Sequence, residues 1–112
     1  MKLRDFLLEN FRDGIPYEDA VQLCMSIYSF ADVLPVRVPK EELSIDGVAE
    51  VFSDVSRHGL IKHYLPYKAV LYGANYHSVC DKGHWIEVMA SIFKLQTTIN
   101  MDRVKALLAE VK

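Results

Sequence analysis

No apolar run in this chain approaches the roughly 20 residues that a membrane-spanning helix requires. Asp5 and Glu9 interrupt the one N-terminal stretch that would otherwise serve as a signal-peptide core. Both absences lead to the expectation of a soluble, unexported, cytoplasmic protein that is complete at this length. Cysteine is scarce too. Cys24 and Cys80 are the only two, too few for a disulfide scaffold, and both are expected to stay reduced. A charge excess is also lacking: 13 basic against 15 acidic side chains give a net charge of −2, so no global field draws the protein to nucleic acid or an anionic membrane. Phosphate-binding loops, dinucleotide fingerprints, serine elbows and paired metalloprotease histidines are missing, and with them the usual flags of most enzyme classes. The chain carries no internal repeat, low-complexity tract or long linker.

What is present is ordinary globular material. With 112 residues, 51 % hydrophobic and 25 % charged, the chain suits one core, and residues 1–112 are expected to form a single helical domain. Leu3, Phe6, Leu7 and Phe11 recur at helical spacing and Asp13-Gly14 stops them, which predicts a helix over residues 2–12. A second helix is predicted from about Pro16 to Ala31, with Glu18 and Asp19 at its positive end and Tyr17, Ala20, Val21, Cys24, Ile27 and Tyr28 along one stripe. Leu23, Met25 and Phe30 fall off that stripe. The helix is therefore apolar over a wide arc, as suits a central helix or half of a dimer seam.

Residues 33–42, VLPVRVPKEE, read as an extended connector in which Val36, Arg37 and Val38 alternate as in a short strand. Val48, Val51, Phe52 and Val55 mark a third helix that ends at His58-Gly59; Asp46-Gly47 leaves its start open. Residues 66–76 fit either a helix starting near Pro66 or a strand at KAVLY. Trp85, Val88, Met89, Ile92 and Phe93 give the strongest helical period. Asn100 is placed to cap a last helix, with Ile99 and Val104 as a hydrophobic staple. The fold expected is mainly α: a compact orthogonal bundle of about five or six short helices, with room for a minor two-stranded β-ribbon.

One stretch comes close to chemistry. HSVCDKGHWIEV, residues 77–88, sets His77, Cys80 and His84 at the start of a helix. Imidazole and thiolate are zinc ligands, and Cys24, His58, His63 or Asp81 would supply a fourth. A helix dipole there favours thiolate and neutral imidazole, the ligand-competent forms. Cys80 would alternatively be a nucleophile activated by His77 or His84, with Asp81 or Glu87 orienting the base. Against both stands a plain reading in which Cys80 packs, His84 decorates a helix start and His77 is a loop residue. Recognisable zinc sites pair their ligands at both ends, and this cluster is single.

A second candidate is the interval from Asp54 to Asp81, which holds no acidic residue between those ends. Arg57, Lys62 and Lys68 are interleaved there with Tyr64, Tyr67, Tyr72 and Tyr76, the mixture enriched in protein interfaces and in strand-binding grooves. So few cations make few phosphate contacts, so nucleic-acid binding would need dimerisation of a helix-turn-helix near residues 48–72. The same tyrosines would also serve simply as packing with their hydroxyls in water. The protein is expected to be a non-enzymatic protein-binding module (an inhibitor, adaptor or regulator) that needs no cofactor and self-associates or grips another protein through Arg57, Lys62, Tyr64, Tyr67 and Lys68. A zinc- or thiol-dependent protein centred on His77, Cys80 and His84 is the alternative, and a dimeric nucleic-acid-binding regulator the further one.

Overall fold

The computed structural model of the protein describes residues 1–62, 80–94 and 99–109. Five helices are formed among them: α1 (Leu3–Asn10), α2 (Tyr17–Ser29), α3 (Ile45–Arg57), α4 (Lys82–Lys94) and α5 (Met101–Leu108). Two short 3-10 turns, Ala31–Val33 and Lys40–Leu43, lie between α2 and α3. The result is the expected compact, mainly helical bundle. None of the described helices is long and apolar enough to cross a membrane.

Each helix forms where its apolar spacing faces the core, and its ends are set by specific hydrogen bonds. Leu3, Phe6 and Leu7 of α1 are buried, and the first turn is tied at a distance: the Leu3 N–H donates to Glu42 Oε1 at 3.1 Å. A carboxylate from the connector thus satisfies a donor that the helix cannot, at the end where negative charge is favoured. Ser44 caps α3, accepting from the Gly47 N–H at 3.0 Å. Asp46-Gly47 therefore lies inside the first turn of α3 and does not break it. Asn100 caps α5 as its sequence position predicts, accepting from the Arg103 N–H at 3.1 Å, and its own N–H donates to Gln22 Oε1 of α2 at 2.7 Å.

Helix α3 ends in a Schellman motif. The Leu60 N–H donates to the Val55 carbonyl and the Gly59 N–H to that of Ser56, with Gly59 at φ 78°. Leu60 and Val55, the hydrophobic pair that accompanies this motif, are both buried. After α1 the chain turns at Gly14, φ 82°, in the same left-handed region. Each turn leads into a two-residue extended piece, β1 (Ile15–Pro16) and β2 (Ile61–Lys62), and these pair in parallel with Ile15 opposite Ile61. So short a ladder has no independent stability. It persists because Ile15 and Ile61 are both core residues.

The β-pairing is thus real but differs from the expectation. Val36, Arg37 and Val38 form no strand, and residues 66–76, read as a helix starting near Pro66 or a strand at KAVLY, lie outside the described residues. Two prolines explain why 34–39 stays a connector, since each lacks the N–H that a ladder needs.

Helix α2 is central. It packs on α3, α4 and α5, and Leu23 and Met25, off its main stripe, are fully buried along with Cys24 and Ile27. The closest partnership is between α3 and α4, and its centre is Trp85, fully buried with its ring 5.1 Å from that of Phe52 and 6.1 Å from that of Tyr17.

Candidate functional site

The start of α4 is held by its own sequence and by α3. Asp81 precedes the helix and its carboxylate accepts from the Gly83 N–H at 2.9 Å, so this residue is the cap. The carbonyl of Cys80 accepts from Ser53 Oγ at 2.6 Å and from Arg57 Nη2 at 3.3 Å, which pins the entry of α4 against α3. Arg57, singled out for partner binding, and Cys80, singled out for chemistry, are therefore neighbours. What links them is a backbone oxygen, and the arrangement fixes the angle at which α4 begins.

His84 is buried, with 8 % of its surface exposed, and its Nε2 lies 2.6 Å from the Tyr17 hydroxyl. Its ring meets that of Trp85 edge-on at a centroid distance of 5.1 Å. Tyr17 is the first residue of α2, so this hydrogen bond ties the start of α2 to the start of α4. The imidazole here partners a buried phenol. Changing Tyr17 to Phe removes the bond at nearly constant shape, and we expect a loss of about 1 kcal/mol of stability in urea titration, the usual net worth of such a bond. A neutral outcome would show that the pair contributes nothing to folding.

Among the described residues, no three His, Cys, Asp or Glu side chains converge to hold a metal. His77 and His63 lie outside those residues. Of the other suggested fourth ligands, Cys24 is fully buried in the core, and burial pushes its thiol far above the ordinary range, so it stays protonated at neutral pH. Asp81 is engaged as the cap of α4. His58 sits at the C-cap of α3, 3.2 Å from Arg4 Nη2. Both cysteines are free thiols, Cys80 partly exposed.

Around Arg57 the surface forms a polar cleft of about 330 Å³ with Arg4, Glu50, Asp54 and Lys82 on its walls. Arg4 pairs with Asp54 across it. Three cations, Arg4, Arg57 and Lys82, face two carboxylates, Glu50 and Asp54, there, and Lys82 also pairs with Asp46 at 3.4 Å. Lys62 belongs to β2, while Tyr64, Tyr67 and Lys68 lie outside the described residues.

The surface feature that periodicity alone does not reveal is apolar. Phe30, just past the end of α2, is 52 % exposed, and with Met1 it makes up the exposed large hydrophobics among the described residues. It stands at a groove of about 540 Å³ whose other apolar walls are Val33 from the following 3-10 turn, Met101 and Leu108 from α5, and Ala109 just past its end. Asp32 and Lys105 complete the lining. The one signal for it in the sequence is that Phe30 falls off the α2 stripe. Comparisons with protein-family models, with curated proteins and with solved structures find no match to this chain.

Proposed function

We propose that the protein is a small non-enzymatic protein-binding module, acting as an inhibitor, adaptor or regulator, and that it grips its partner through the groove between the end of α2 and α5. The observation that carries this reading is Phe30, a large aromatic side chain left half in water beside an apolar recess. Aromatic anchors seated in apolar pockets supply most of the energy of protein interfaces, and an unpaired one on a small domain costs solubility without adding stability. The remaining large aromatics described, Phe6, Phe11, Tyr17, Phe52 and Trp85, are buried, with Tyr28 partly so. Arg57, one of the residues expected to bind a partner, also anchors the Cys80 carbonyl, and the groove is the contact face favoured here.

The test is photo-crosslinking in the cells that make the protein. A photoreactive phenylalanine analogue is placed at Phe30 and, as a control, at the exposed Glu9 of α1. The expected result is a discrete adduct of defined mass from position 30 and none from position 9. Equal, diffuse labelling at both positions would overturn the proposal.

A further inference from the structure

We infer that the occupant of the groove is a second copy of this chain, docked about a two-fold axis; the inference rests on the protein-binding reading above and names its partner. An isologous interface requires one patch that is its own complement, with a projection and a recess side by side and each charge facing its opposite on the other copy. The groove has these parts. Phe30 projects, and Val33, Met101 and Leu108 form the recess next to it. Asp32 and Lys105, both exposed, line the same groove, and no ion pair among the described residues joins them to each other.

A two-fold axis through the patch sets Phe30 of each copy into the recess of the other and Asp32 of each copy against Lys105 of the other. The patch carries one acid and one base, so two copies meet without net repulsion. A partner with a uniformly acidic or basic surface would leave one of these two groups facing a like charge.

Charge reversal separates this arrangement from any other. Asp32→Lys sets two lysines against each other twice in its homodimer, and Lys105→Asp does the same with aspartates. Mixed together, the two single variants restore both attractive pairs in a heterodimer, and the double variant restores them in a homodimer. Sedimentation velocity over about 1 µM to about 1 mM covers the range of weak and moderate self-association. The expected result is a wild-type dimer, homodimers of each single variant weakened about tenfold, and recovery in the equimolar mixture and in the double variant. Phe30→Ser, whose thermal melting reports its folding, is expected to be monomeric.

A wild-type protein that stays monomeric throughout would overturn the inference, as would a dimer indifferent to Phe30→Ser and to both reversals. The crosslink at position 30 keeps the two levels apart. A monomer that still gives a discrete adduct with a different protein sinks self-association and leaves the binding module standing. A monomer with no discrete adduct sinks both.

Discussion

Replacing Trp85 by alanine should lower the stability of the protein by about 3–5 kcal/mol, the usual cost of deleting a large buried aromatic. Trp85 is fully buried and sits where three helices meet. Its ring contacts Phe52 of α3 at 5.1 Å, Tyr17 of α2 at 6.1 Å and its neighbour His84 at 5.1 Å, all in tilted or edge-on arrangements. Such geometries add to the area term, because the positive edge of one ring approaches the negative face of another. Small domains are stable by only about 5–15 kcal/mol, so the loss is a large share of the total. The midpoint of thermal unfolding should fall by roughly 15–30 °C. Trp85→Phe, which keeps one ring in the site, should cost distinctly less. The measurement is urea unfolding followed by far-UV circular dichroism, since Trp85 is the sole tryptophan and its fluorescence disappears with it. A cost below about 1 kcal/mol for Trp85→Ala would mean that α3 and α4 do not pack through this side chain.

Trp85 also shows which parts of the fold local spacing predicts. It opens the periodic run that marks α4, as Leu3, Phe6 and Leu7 mark α1, and a stripe at helical spacing has one economical explanation. The ends of helices are equally local. Asn100 and the His58-Gly59 pair act within a few residues of themselves; as predicted, Asn100 opens α5 and His58-Gly59 closes α3. Contacts across the chain have no such local signal. Tyr17 and His84 are 67 positions apart, and nothing in either segment announces that a phenol will meet an imidazole. The β1–β2 pair depends on two left-handed glycines at separate helix ends, while the alternation of Val36, Arg37 and Val38 imitates a strand without an N–H ladder to complete it.

The same limit applies to the candidate site. Arg57 and Cys80 each attract attention for their side chains, yet their meeting point is a backbone carbonyl. Tyr64, Tyr67, Lys68 and His77 share one segment outside the described residues, and Lys62 precedes it in β2. The groove at Phe30 is assembled from the end of α2 and from α5, whose first residue, Met101, lies far along the chain. Local periodicity marks Phe30 only as a residue off its stripe. Folding then determines whether such a residue is buried, as Leu23 and Met25 are, or exposed, as Phe30 is.

Gly47→Ala should destabilise the protein by about 2 kcal/mol, against the sign that helix propensity alone would give. Gly47 is in the first turn of α3, where alanine is intrinsically favoured by about 1 kcal/mol over glycine in a helix interior. The space denies that gain. A Cβ at this position would lie 2.8 Å from the Glu42 carbonyl oxygen and 3.0 Å from that of Glu41, both backbone atoms that no side-chain rotation can move aside. Relief requires shifting the 3-10 turn Lys40–Leu43, and overpacking of this kind costs about 1–3 kcal/mol. The same turn carries Glu42, whose carboxylate accepts from the Leu3 N–H, so the displacement also loosens the start of α1. A double-mutant cycle with Glu42→Gln should therefore show a coupling of about 0.5–1 kcal/mol between positions on either side of the turn. If Gly47→Ala were instead stabilising by the full propensity difference, the close approach of the turn to α3 would be absent and the connector would sit elsewhere.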